Sequence, residues 1–147
     1  MACIEDEEER GRSRMELQPG LRDVLKGLKS NGIRIAIATR NSFKTIEVFL
    51  ALSGFQQDFF DNIITRDFEY RKPQAEVARY LCRDTFKLHP SQVLFVGDSR
   101  DDLECANASG CISALLVNED NKTLTAQAQY SFKTIADTLN FVKNTRH

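Results

Sequence analysis

Short apolar runs recur at residues 33–38, 63–64, 93–96 and 112–117, and each is separated from the next by an amphipathic stretch long enough to form a helix. A hairpin joins antiparallel strands through a few residues, whereas parallel strands need a crossover of about a dozen or more. This spacing predicts a parallel sheet with helices on both faces, a three-layer Rossmann-like α/β architecture. Local signals agree. Leu21, Val24, Leu25 and Leu28 stand at i, i+3, i+4 and i+7, one apolar helical stripe, and Ser30-Asn31-Gly32 can end it with Asn or Gly in a left-handed cap. Ser42 can cap a helix carrying Phe43, Ile46, Phe49, Leu50 and Leu52, stopped by Gly54. Pro73 leads into a helix marked by Val77, Ala78, Leu81, Cys82 and Phe86, which His89-Pro90 breaks. A short helix at 103–108 and a last one with Ile135, Leu139 and Val142 complete the pattern.

The chain changes character once, at Gln18-Pro19-Gly20, where a polar segment gives way to this alternation. The expected division is therefore a charged stretch at 1–16 and one core domain at 17–147. Twenty basic against 21 acidic residues, a net charge of -1, provide no basic excess for nucleic acid or an anionic membrane surface. No apolar run approaches the roughly 20 residues of a membrane span. The first 16 residues hold six acidic and three basic side chains, unlike a signal or transit peptide. Cys3, Cys82, Cys105 and Cys111 form no C-x-x-C pair, and His89 and His147 are the two histidines, so a structural zinc site is not expected. Reduced thiols and a cytoplasmic location are the plain reading. Cys82 and Cys105 lie in apolar helical stretches and read as small core hydrophobes.

In open α/β sheets, ligands bind beyond the carboxyl ends of the strands. Three positions stand out there: Thr39 after the first run, Lys72 in Arg71-Lys72-Pro73 on the loop after the second, and Asp98 in Gly97-Asp98-Ser99-Arg100-Asp101-Asp102 after the third. A hydroxyl, a cation and clustered carboxylates at one sheet edge suit a phosphate with a divalent metal. The hydroxyl donates to phosphoryl oxygens, the ammonium offsets their charge, and carboxylates hold hard Mg²⁺ through oxygen. Each residue alone has a plainer use. Thr39 can end a strand or cap the next helix, Lys72 can be a solvated loop charge, and Asp101 or Asp102 can be the N-cap before Leu103. Asp98 is hardest to explain away, because it follows a buried Leu-Phe-Val-Gly run.

Taken together, these residues resemble the haloacid dehalogenase superfamily of phosphatases, particularly its phosphoglycolate-phosphatase-like members, from Leu17 to about Val142. The stretches that carry the resemblance are Leu17-Gln18-Pro19-Gly20, Ile35-Ala36-Ile37-Ala38-Thr39-Arg40-Asn41, Lys72-Pro73 and Val96-Gly97-Asp98-Ser99-Arg100-Asp101-Asp102. The resemblance implies that Thr39 hydrogen-bonds the transferred phosphoryl group and that Lys72 neutralises it and the nucleophile. It implies Asp98 as a direct Mg²⁺ ligand and Asp102 as a metal support acting through water or at one remove, with Asp101 the neighbour able to share that task. By position, Arg40, Asn41 and Arg100 are placed either to reach the distal groups of a substrate or to make surface contacts.

The departure is equally informative. The family's nucleophile lies in an Asp-x-Asp-x-Thr/Val motif after an amino-terminal strand. The nearest acidic run here, Asp6-Glu7-Glu8-Glu9, has Glu at the second acidic place and Arg10 at the third. Met1 to Ile4 are too short a lead for a buried strand, so 5–16 reads as a solvated acidic helix face, the tail of a cap segment. The family sheet has strand order 3-2-1-4-5, and the strand missing here would be its centre. A central gap leaves rows of backbone groups unpaired at about 1–3 kcal/mol each. Residues near Met1 to Ile4, direct pairing of the flanking strands, or a strand from another molecule would close it. With so short and acidic an amino terminus, direct closure or self-association through the incomplete sheet is expected. The expected function is that of a haloacid-dehalogenase-like hydrolase domain of a Mg²⁺-dependent phosphomonoesterase family. Truncation has removed the nucleophile, so catalysis by this chain alone is not expected, Mg²⁺ is held weakly, and a small phosphorylated metabolite is the partner. The alternative is a non-catalytic module binding a phosphorylated ligand or a partner protein. A receiver-like module is disfavoured, because Lys72 precedes Asp98 whereas a receiver's lysine comes late.

Overall fold

Helix α1, Leu21–Ser30, buries the stripe Leu21, Val24, Leu25 and Leu28, as its spacing requires. Asn31 closes it, its side-chain amide donating to the Gly27 carbonyl at 2.7 Å. The computed structural model describes residues 2–5, 20–70, 72 and 74–145. Within them the apolar runs become strands β2 (Arg34–Ala38), β3 (Asn62–Ile64), β4 (Val93–Gly97) and β5 (Ile112–Leu116). Helix α2, Phe43–Ser53, starts at Ser42, whose hydroxyl accepts from the Thr45 N–H, and ends at Gly54. Helix α3, Glu76–Tyr80, runs on into a π-helical turn, Leu81–Phe86. The Arg34 guanidinium donates to the Thr85 and Phe86 carbonyls at 2.8 and 2.6 Å, satisfying acceptors that the end of this turn leaves open. Helices α4, Arg100–Ser109, and α5, Ala136–Thr145, complete the layers.

Side chains on the central strands alternate between the two layers, as the pleat demands. Ile35, Ile37, Leu94 and Val96 pack with the buried residues of α1 and α2 and with Ile135 and Val142. Ala36, Ala38, Val93 and Phe95 face Val77, Leu81, Cys82 and Phe86 together with Cys105 and Ala106 of α4. Burial on both sides explains why these runs read as continuous apolar segments.

The centre of the sheet corrects the expectation of a missing first strand. Residues Ala2–Glu5 form β1, parallel to β2 on one side and β4 on the other, with Cys3 opposite both Ile35 and Leu94. Four residues at roughly 3.3 Å each reach about 13 Å, enough to pair most of a five-residue neighbour, and the unpaired rows on β2 and β4 reward even so short an insert. Residues 2–5, assigned from sequence to a cap remnant, thus belong to the core sheet. The gap behind the expected self-association is filled. The acidic run 6–9, the rest of the proposed cap tail and Gln18-Pro19 lie outside the described residues.

A sixth strand, β6 (Tyr130–Phe132), pairs with β5, so the order is β3-β2-β1-β4-β5-β6. Nothing in its sequence announces it: Tyr130 and Ser131 are exposed and Phe132 alone is buried. The Ile4→Pro variant removes a ladder N–H from the central strand and orphans its acceptor. It should lose about 1–3 kcal/mol for each buried group left unpaired, read as a lower urea midpoint at unchanged slope.

Candidate functional site

Thr39 is the first residue beyond β2. Its N–H donates to the Ile64 carbonyl at 2.9 Å, and its hydroxyl oxygen accepts from the Asn41 N–H at 3.1 Å. It is 4% exposed and turns the chain at the carboxyl end of the sheet. Asn41 in turn accepts the Arg66 N–H on its carbonyl at 3.0 Å, tying this turn to the loop that leads toward Lys72.

Asp98 follows β4 at the same edge. Ser99, rather than Asp101 or Asp102, is the N-cap of α4, which corrects the sequence expectation and starts the helix earlier, at Arg100. The Ser99 hydroxyl accepts from the Asp102 N–H at 3.2 Å, and Asp102 returns its carboxylate, accepting from the Ser99 N–H at 3.2 Å and the Ser99 hydroxyl at 2.8 Å. The same oxygen accepts from the Asp98 N–H at 3.2 Å. A Cβ on Gly97 would collide with the Asp102 carboxylate, so only glycine lets the carboxylate fold back over the strand end.

The other oxygen of Asp102 meets Lys72 Nζ at 2.7 Å, with both side chains almost fully buried. Lys72 also donates to the Ala38 carbonyl at 3.3 Å, one residue before Thr39. The buried pair therefore joins the end of β2, the Lys72 loop and the start of α4. Thr39, Lys72, Asp98 and Asp102 are thus drawn to one edge of the sheet. Asp102 faces Lys72 and the Asp98–Ser99 backbone.

Arg40 and Asp101 pair with each other at 2.7 Å, both partly exposed. A surface pair of this kind contributes on the order of 0–1 kcal/mol, and it draws Arg40 toward α4. Sequence reasoning missed Asn121. It is 4% exposed, its amide donates to the Asp98 and Leu116 carbonyls at 2.9 Å each, and its oxygen accepts from the Asn118 N–H at 2.7 Å. A buried amide needs its partners, and here they fix the Asp98 loop from the side opposite Asp102. Nothing in the spacing of the polar loop around Asn121 marks it out.

Two spaces flank these residues. A crevice of about 10 Å³ lies between Thr39, Arg40, Lys72 and Tyr70, room for about one water. A cavity of about 340 Å³ opens beside Asp98, walled by Leu116, Val117 and Ile135 with Asn118, Lys133 and Thr134 at its polar side. A depression of about 530 Å³ among Gln56–Ile63 is larger but lies at the amino end of β3. Among the described residues, no three His, Cys, Asp or Glu side chains group closely enough to hold a metal.

Lys72→Met would leave the Asp102 carboxylate buried without its cation and should cost about 3–5 kcal/mol. Adding Asp102→Asn should recover part of that loss, giving a clear coupling in a urea-denaturation double-mutant cycle.

Comparison with known proteins places this geometry. The model of the haloacid dehalogenase-like hydrolase family matches residues 2–116. An uncharacterized hydrolase of Saccharomyces cerevisiae is 34% identical over 119 residues, 80% of this chain and 54% of that one. The phosphoglycolate phosphatase of Mannheimia succiniciproducens is 29% identical over 129 residues, 86% of this chain and 57% of that one. The chain thus spans about half the length of these curated relatives. A predicted phosphoglycolate phosphatase from Haemophilus somnus superposes with a TM-score of 0.75 at 27% identity, covering 86% of this chain and 57% of that one. The core domain of a proposed phosphoglycolate phosphatase from Streptococcus pneumoniae gives 0.69 at 26% identity, covering 99% of this chain and 96% of that domain. With most of its length matched and its parallel sheet superposed on theirs, the chain belongs to the haloacid dehalogenase-like hydrolase family.

Proposed function

We propose that this chain is the phosphate- and Mg²⁺-binding core of a phosphomonoester phosphatase. The observation that carries the reading is the buried Lys72–Asp102 pair, 2.7 Å long, set between Thr39 and Asp98 at the carboxyl edge of the sheet. Thr39 donates its hydroxyl to a phosphoryl oxygen, and Lys72 offsets the phosphoryl charge. Asp102 orients Lys72 and the Asp98 loop. The cavity beside Asp98 receives the organic part of the ester, and Asn41 borders the phosphoryl end. Similarity to phosphoglycolate phosphatases makes a small phosphorylated acid the first substrate to try.

The donor set fits Mg²⁺ held weakly. Asp98 offers a half-buried carboxylate of the hard oxygen type that Mg²⁺ takes, with waters and phosphate oxygens completing the shell. When bound, the ion screens the charge of the phosphoryl oxygens. Among the 147 residues no two aspartates stand two apart, so the Asp-x-Asp pair that would attack phosphorus and protonate the leaving group does not occur. We therefore assign binding without turnover to these residues, with the segment 6–16 derived from a cap. No described helix is long and apolar enough to cross a membrane, and we place the domain in the cytoplasm.

Calorimetric titration with inorganic phosphate in the presence of Mg²⁺ tests the binding, and phosphate release from phosphoglycolate tests the chemistry. The expected result is weak phosphate binding that falls about tenfold or more in Thr39→Val, as loss of a hydrogen bond to a charged group requires, with no turnover. Absence of phosphate binding would overturn the reading. Mg²⁺-dependent turnover lost in Asp98→Ala would show a nucleophile within the chain, and Asp6, next in sequence after β1, would be the first carboxylate to replace.

A further inference from the structure

On the α3–α4 side of the sheet, two thiols touch. Cys82 lies in the π-helical turn that extends α3, and Cys111 immediately precedes β5. Their sulfur atoms are 3.5 Å apart, and the residues are 1% and 3% exposed. Cys105, the third thiol of this layer, faces elsewhere and meets the Gln74 carbonyl at 3.2 Å. Cys111 directly follows Gly110, the exposed left-handed residue that ends α4, so it sits one residue beneath the surface. The turn on the other side is π-helical, a departure from regular α-helix that is frequent at functional sites.

We propose that Cys82 and Cys111 are a modification site, forming an intramolecular disulfide when the protein meets hydrogen peroxide or an organic hydroperoxide. The sulfurs need to close by about 1.5 Å to reach bonding distance. The nearness of Cys111 to the exposed Gly110 assigns the order of events. Either sulfur can donate in this contact; the hydrogen bond to Cys111, and after it burial, raise the Cys82 pKa and keep its thiol protonated. The hydrogen bond with Cys82 lowers the pKa of Cys111, with burial opposing and Ser109 helping. Burial pushes Cys105 up to about 12, leaving it a poor competitor.

The Cys111 thiolate attacks one peroxide oxygen, the O–O bond breaks, and a sulfenic acid and hydroxide result. Cys82 sulfur then attacks the Cys111 sulfur, the S–O bond breaks, and the departing hydroxide takes the Cys82 proton. Two thiols and one hydrogen peroxide become one disulfide and two waters, with two electrons passing from sulfur to oxygen. The bond joins positions 29 apart and closes a ring that contains β4, Asp98, Asp102 and α4. It ties the helix following Lys72 to the root of β5, and it restricts the unfolded chain.

Peroxide treatment of the full chain, followed by digestion and mass spectrometry, tests the site. The expected result is a Cys82–Cys111 linked peptide pair, a loss of about 2 Da, a Tm raised by several degrees, and reversal by dithiothreitol. Cys105→Ser should keep the link, whereas Cys82→Ser and Cys111→Ser should abolish it. Should either of the latter fail to fold, alkylation of the unmutated protein under denaturing conditions, before and after peroxide, must show Cys82 and Cys111 protected together while Cys3 and Cys105 stay reactive. Linkage through Cys105, a dimer bridged by Cys3, Cys111 oxidised beyond sulfenic acid with Cys82 still free, or four free thiols would each overturn the proposal.

Discussion

Lys72 and Asp102 meet where almost no water reaches either side chain, and the surrounding architecture is organised around making that tolerable. Stripping water from an ammonium and a carboxylate costs several kcal/mol per ion, and the mutual attraction offsets this only when the remaining polar atoms are also satisfied. Asp102 meets the condition through the Asp98 and Ser99 N–H groups and the Ser99 hydroxyl, Lys72 through the Ala38 carbonyl. Every one of those partners stands at a junction between elements. The pair is stable only with β2, the Lys72 loop and the β4–α4 turn in place together, so it acts as a check on their relative positions. Gly97 belongs to the same constraint, since any side chain there would occupy the space the carboxylate needs.

The Asp98 loop is consequently held from two directions, by Asp102 on the helix side and by Asn121 on the β5 side. A carboxylate on a loop so fixed loses little freedom on meeting a cation, so the metal-holding role proposed for Asp98 would need little reordering of the loop. The exposed Arg40–Asp101 pair adds a weaker, solvent-screened link across the same edge.

Much of this was legible because it depends on spacing. The stripe of α1, the Ser42 cap and the runs that became β2, β4 and β5 follow from periodicities of 3.6 and 2 and from burial on both faces. The clustering of Thr39, Lys72, Asp98 and Asp102 followed from their positions just past strand ends. What escaped lacked a local signature. Four residues at 2–5 carry too little pattern to be recognised as a strand, and their place depends on vacancies left by β2 and β4. The edge strand β6 buries one side chain of three. Ser99 takes the cap while Asp102 is committed to Lys72 and Asp101 to Arg40, which are tertiary facts. Asn121 is decided by three backbone groups distant from it in the chain or in direction.

The position of β1 also has a kinetic side. Its Ala2 faces Arg34 across one ladder and Val93 across the other, so the middle of the sheet is stitched from segments that are remote along the chain. Neighbours such as β4 and β5 are linked by a single short helix and close a far smaller loop. Chain entropy orders these events: small loops close first, and a contact with large sequence separation is gained after the entropy of a long intervening segment has been given up. By that measure the pairing of β1 with β4 is the costliest closure in the sheet, whereas β1 and β2 close a loop comparable to that of β2 and β3. Until β1 and β4 pair, the two halves of the sheet each present an open edge to whatever strand arrives, which is where this sheet is most exposed to pairing with a second chain.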